Sequence, residues 1–185
     1  MSKGLMIGLG ALAVVAVLVF SIVGSLMSMY NSAVQMEQSL VAQYDQNRNN
    51  YAKMFNSLKE AAQVPDMYMQ GLKDLYDSIM HGRYGSDGSK AMFNWIKEHN
   101  PEVDSSLYVK LQSMIEANRN DFESNQKSLI DKRQIYQVYL KTVPQSFVLS
   151  VMGFPKIDLS KYDIVTSEET EKAFDTKKAG PISLR

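Results

Sequence analysis

The sequence predicts an all-α protein: an N-terminal transmembrane helix continuous with an elongated antiparallel helical bundle of two long helices plus short ones. Three observations lead there. Residues 4–36, 33 in a row, carry no charged side chain. Residues 30–63 and 102–142 contain neither Pro nor Gly and place apolar side chains at alternating spacings of four and three, the pattern of a helix with one sticky face. No two alternating apolar runs flank a hairpin turn, so no sheet is expected.

The first element is the apolar leader. From Gly4 to Met29 the chain is built from Leu, Val, Ala, Ile, Met, Phe, Gly and three Ser. As a helix these 26 residues span roughly 39 Å at about 1.5 Å per residue, enough to cross a hydrocarbon core of roughly 30 Å with some tilt. Leu5, Ile7, Leu12, Val15, Leu18, Phe20, Ile22 and Leu26 are the anchoring side chains. A cleaved signal peptide has a shorter apolar region, of about 7–15 residues, ending at a small-x-small site. The best such site, Val23-Gly24-Ser25, is followed by more apolar chain, so an uncleaved anchor is expected. Lys3 precedes the leader, and the first cation after it is Arg48. By the positive-inside tendency the N-terminus lies in the cytoplasm and the body is periplasmic or extracellular.

The first long helix continues from the anchor without a break. Its face runs through Tyr30, Val34, Glu37, Val41, Tyr44, Arg48, Tyr51, Phe55, Leu58 and Ala62, a coiled-coil-like seam. Val64-Pro65 ends it, because the residue before Pro is pushed out of the α region. Residues 66–81 form a second, shorter helix, and the three Gly of 82–88 a loop. Residues 90–99 form a short helix. Asn100-Pro101-Glu102 has the composition of a helix start and opens the second long helix, to about 142, with Leu111, Ile115, Asn118, Phe122, Asn125, Leu129, Lys132, Tyr136, Tyr139 and Val143 on one face. Pro144 stops or kinks it. A short apolar segment, 147–152, ends at Gly153, and Thr166-x-x-Glu169 fits a capping box opening a brief last helix to Phe174. The domains expected are an anchor at 1–29, a bundle at 30–160 and a tail at 161–185.

Composition narrows the chemistry. Twenty basic and 20 acidic residues give no net pull toward nucleic acid. The absence of Cys removes disulfides, thiolate metal sites, Cys nucleophiles and a lipidated N-terminal Cys. His81 and His99 lie outside any close metal-ligand spacing and read as helix-end residues. The Gly82, Gly85, Gly88 loop lacks both the G-K-[ST] ending and the preceding strand of a phosphate loop. No catalytic, metal or cofactor-binding residues are assigned, and no cofactor is expected. Glu37, Arg48, Asn118, Asn125 and Lys132 fall on the seam faces, where either polar side chains fix register between helices or the stripe drifts to the surface.

The C-terminal half resembles the LemA family. The carrying residues are Glu116-Ala117-Asn118-Arg119, then Tyr136 through Leu149, then Met152-Gly153-Phe154. At the front, Tyr30-Asn31-Ser32-Ala33-Val34 is similar to the family's Tyr-Asn-x-Leu-Val. Val143-Pro144-Gln145-Ser146 stands where the family has Phe-Pro-Ser-Asn. The family's central Arg-Arg-x-Asp-Leu-Ile-Pro motif has its nearest counterpart in Asn47-Arg48-Asn49-Asn50-Tyr51, without the Asp and Pro. The resemblance therefore implies a divergent member, phage-encoded or from a distant bacterium, with a membrane-anchored antiparallel helical bundle. It carries over no catalytic residues.

The function expected is a membrane-anchored, non-enzymatic scaffold or protein-interaction module at the cell envelope. Its partners are the lipid bilayer and other proteins, not nucleic acid, and the helix faces also allow a homo-oligomer. The partner-binding candidates are Tyr84, Phe93 and Trp95 near the loop, and Phe147 and Met152 near the last bundle turn. The alternative is a phage envelope or lysis factor resembling a spanin, which shares the anchor and the periplasmic rod. A membrane-bound enzyme is the third reading.

Overall fold

The structure is a computed structural model that describes residues 3–82, 84, 87–165 and 175–176. Among these the protein is all-α. Five α-helices follow one another: α1 (Lys3–Ala62), α2 (Met69–Met80), α3 (Gly88–His99), α4 (Ser106–Lys141) and α5 (Gln145–Val151), with 3-10 turns at Asp66–Tyr68 and Leu159–Tyr162. The capping box at Thr166 and the helix expected after it lie outside the described residues. The chain divides into two compact units, Met1–Ala42 with Asp131–Tyr162, and Gln43–Ile130 with Asp163–Arg185.

Helix α1 is 60 residues long and passes uninterrupted from the apolar leader into the body. Its most apolar 18-residue stretch has a mean hydropathy of 2.8, and none of that stretch is buried by protein. It is the one helix among the described residues long and apolar enough to cross a membrane. The helix stops where Gln63 turns to a positive φ of 48° and its N–H closes on the Lys59 carbonyl at 3.1 Å. The Asn100 amide then reaches the freed carbonyls of Ala62 and Gln63, at 3.4 and 3.3 Å.

In the first unit α1 and α4 run antiparallel. Tyr136 donates to Glu37 at 2.9 Å, Lys132 to Ser39 at 2.7 Å, and the Tyr139 hydroxyl to the Met29 carbonyl at 2.9 Å. Ala33, Leu40, Tyr136, Val148 and Leu149 form the buried apolar set, with Phe154 closing it. Phe154 gets there through a helix stop. Gly153 takes a φ of +66°, its N–H meets the Ser150 carbonyl, and the Phe154 N–H meets the Leu149 carbonyl at 2.9 Å. This left-handed cap folds the next apolar residue back onto the helix, and the Phe154 ring lands edge-on against Tyr30, centroids 5.2 Å apart. The Val143–Pro144 peptide that joins α4 to α5 is cis.

In the second unit the core is Met54, Leu58 and Ala62 of α1, Leu72, Tyr76, Ile79 and Met80 of α2, Met92 and Ile96 of α3, and Leu111 and Ile115 of α4. Two glycines set the approach of α2 and α3. A Cβ on Gly71 would lie 2.9 Å from the Trp95 ring, and one on Gly88 would lie 2.8 Å from Ile79.

Three expectations change. The buried residues of α1 beyond the leader are Ala33, Leu40, Met54, Leu58 and Ala62: the last two are on the expected row, while the first three lie one residue back from the expected Val34, Val41 and Phe55. One residue rotates a helix by about 100°, so Val34 and Arg48 face outward, while Tyr30, Glu37, Val41, Tyr44, Tyr51 and Phe55 are half-buried. The expected row on α4 matches better, but its last member, Val143, is exposed. Helix α4 begins at Ser106, not at Asn100-Pro101-Glu102, and Asp104 supplies the acceptor for the Ser106 N–H at 3.0 Å. Asn100, placed before a Pro, is instead extended (φ −145°, ψ 86°) and closes α3.

Gly88→Ala is expected to lower the melting temperature of the full chain in detergent, read by circular dichroism, through an overpacking cost of about 1–3 kcal/mol against the buried Ile79. Gly24→Ala, where the added methyl meets nothing within 4 Å, should leave the melt unchanged.

Candidate functional site

The second unit holds a cleft of about 640 Å³, within the range of small-ligand sites. Three helices build its walls at helical spacing. Helix α1 contributes Tyr44, Arg48, Tyr51 and Phe55, and α4 contributes Phe122, Gln126 and Leu129. Lys73 and Asp77 of α2 align with His81, the residue that closes that helix. Asp163 and Val165 complete the rim. The row Tyr44, Arg48, Tyr51 and Phe55 is the one that sequence periodicity marks as a seam. Its apolar character is genuine, but these side chains line a cleft.

The floor is aromatic. Tyr51 sits 5.5 Å from Tyr76 and 5.6 Å from Phe122 between ring centroids, and Phe55 lies 5.6 Å from Tyr76. One short hydrogen bond fixes it: the Tyr51 hydroxyl donates to the Asp77 carboxylate at 2.7 Å. Burial first, and that carboxylate second, push the Tyr51 phenol well above its ordinary value. Burial does the same to Tyr76. His81 meets Phe122 edge-on at 5.9 Å, and its Nδ1 bonds the Asp77 carbonyl. A carbonyl only accepts, so Nδ1 carries the proton of that bond and Nε2 is the nitrogen left for other partners.

Three polar groups of the cleft have no partner among the described residues. The Gln126 side-chain oxygen is buried without a hydrogen bond. Among the described residues Arg48 and Lys73 form no ion pair, and the one such pair is Lys59–Asp66, 3.8 Å apart at the surface. An unpaired buried acceptor costs about 1–3 kcal/mol, and it lies beside apolar walls that also carry the two cations.

The other expected residues are dispersed. Phe93 and Trp95 were expected to be exposed, and both are half-buried against the core of the second unit. Phe93 meets Tyr108 edge-on at 5.4 Å, while Trp95 stacks on His99 with centroids 4.1 Å apart. Their apolar surface is spent on packing. Tyr84 is exposed, as are Phe147 and Met152 in the first unit. Asn118 and Asn125 line a smaller polar groove on the second unit with Asn50, Lys53 and Ser57, and Asn47 donates to the Asn125 carbonyl at 2.9 Å. Glu37 and Lys132 serve the first unit's helix pairing, as described above. Both His close helix ends by bonding the carbonyl four residues back; for His99 this is Trp95 at 2.8 Å. Among the described residues no group of three His, Asp or Glu gathers as metal ligands would. Lys73, Asp77 and Gln126 carried no signal in the sequence, because only the folding of α2 and α4 beside α1 assembles them.

No family model, curated protein or solved structure matches the chain.

The buried phenols give a pH dependence of known sign. Tyr51, Tyr76 and Tyr136 are all held above the ordinary phenol value, mainly by burial, with Glu37 adding to it at Tyr136. The folded state therefore keeps protons that the unfolded chain loses. Their contribution is complete below about pH 10 and falls as pH rises past it toward the folded values. Tyrosinate absorbance in an alkaline titration should show a group of phenols that ionises only together with loss of the helical signal.

Proposed function

We propose that this chain is a single-pass membrane protein of LemA type that acts as a non-enzymatic binding module. Its N-terminus lies in the cytoplasm, and the cleft is displayed on the other side of the membrane to partner proteins. Support for the anchor is the uncharged leader at the head of α1, with apolar side chains exposed on all sides. Water does not tolerate such a helix, and a bilayer does. Support for LemA type is the end of the second long helix in a Pro turn, a short apolar helix and a Gly-Phe stop, the order the resemblance implies; α2 and α3 stand between the two long helices, where the chain departs from the family's central motif.

The cleft carries the binding reading. Its aromatic walls, with Arg48 and Lys73, which form no ion pair among the described residues, suit an aromatic group that carries an anion. On a protein partner this is an aromatic side chain beside a carboxylate. Arg48 and Lys73, set against the Asp77 and Asp163 carboxylates of the same lining, are the groups that can meet the ligand's anion, and the walls supply the apolar contact.

Naphthoate, a rigid aromatic carboxylate, is the probe. Calorimetric titration of the full chain in a neutral detergent is expected to show saturable binding. The double variant Arg48→Ala, Lys73→Ala should weaken it by about tenfold, the equivalent of roughly 1.4 kcal/mol, with the helical signal intact. No saturable binding, or equal binding by the double variant, would reject the cleft as the site.

A further inference from the structure

Helix α5 carries apolar side chains on two faces. Val148 and Leu149 point into the first unit's core. On the other side Phe147 and Val151, one turn apart, are 70% and 71% exposed, with Val143 at 78% and Met152 at 42% beside them. Four large apolar side chains clustered at one tip are more than chance exposure. The sequence around them is also unusual. Residues 142–155, 14 in a row, carry no charge, and lysines bound the run at 141 and 156.

The place of this tip is set by α1. The Tyr139 hydroxyl bonds the Met29 carbonyl, and Phe154 packs on Tyr30. The end of α4 and the chain just past α5 therefore meet α1 where its apolar run ends. Protein cover on α1 begins at Leu26 and Met29, which are half-buried, while Phe20 and Ile22 before them stand exposed. Residues 6–25, exposed except at the half-buried Ala16, span roughly 30 Å at about 1.5 Å per residue, close to a hydrocarbon core of roughly 30 Å. The first protein cover thus falls at the depth of the lipid headgroups.

We infer that the exposed face of α5, with Val143 and Met152, rests in the membrane interface as a second, monotopic contact with the same bilayer. The inference rests on the reading of α1 as a membrane anchor. An amphipathic segment held at this depth buries its apolar side chains several ångströms below the headgroups. Tyr30 and Tyr139 are of the residue type that favours this zone. Lys141 and Lys156, both exposed, reach anionic headgroups from either end of the uncharged run. Insertion of α1 carries α5 to the surface, so its binding needs no separate encounter.

The chain has no Cys, so single nitroxide labels can be placed in an otherwise native background. The test uses Leu18→Cys, Phe147→Cys, Val151→Cys and Gln134→Cys in the full chain, reconstituted in vesicles of phosphatidylcholine and phosphatidylglycerol. Collisions are read with oxygen, which concentrates in lipid, and with a nickel chelate, which stays in water. Labels at 147 and 151 are expected to favour oxygen, less strongly than the label at 18, while the label at 134 favours nickel. Labels at 147 and 151 that behave like 134, with 18 still in lipid, would overturn the inference and leave the anchor standing. Shielding of 147 and 151 from both reagents would place protein there and overturn it too. Nickel access at 18 would remove the anchor, and this inference with it.

Discussion

The hydrogen bond from Tyr136 to Glu37 sets the register on which the first unit depends. Tyr136 is completely buried, and a buried hydroxyl without a partner costs about 1–3 kcal/mol. Glu37 supplies that partner as a charged acceptor, at 2.9 Å. The seam around it has few large side chains to choose a register by shape: Ala33 and Leu40 are the fully buried α1 residues of this unit. Polar pairs therefore do the choosing, with Lys132 on Ser39 and Tyr139 on the Met29 carbonyl fixing the same alignment. The position of α5 beside the last leader residues follows from it.

The second unit solves a different problem. Its core draws on four helices and is held by ordinary apolar packing, tightened where Gly71 and Gly88 let ring and branched side chains approach the backbone. The cleft is where that packing stops. Tyr51 and Phe122 pack against each other at the floor, while the polar groups beside them are left unequally served: Asp77 has its donor in Tyr51, and Gln126 has none.

Helix existence was legible in the sequence, and helix faces were legible only in part. Val64-Pro65 and Gly153 mark true ends because their backbone preferences are local. The start of α4 was misplaced by four residues: Asn100-Pro101 has a cap's composition, but Asp104 makes the capping bond. The α1 seam was half right for an instructive reason. Tyr44, Tyr51 and Phe55 are apolar because they line a cleft, and periodicity reports an apolar face without saying what covers it. The true inward row includes Ala33 and Asn47, one small and one polar, and so gives little signal. The cleft's polar groups come from three helices and become neighbours only in the tertiary structure.

Trp95 is the sole tryptophan, lodged against Gly71 and stacked on His99 beneath α2. The protein therefore carries one natural optical reporter, and it sits on the second unit's core. Intrinsic fluorescence will follow the docking of α3 on α2 and stay silent about the leader and α5. A change in that signal on reconstitution would mean that a disturbance begun in lipid had reached a corner of the molecule that contains no leader residue.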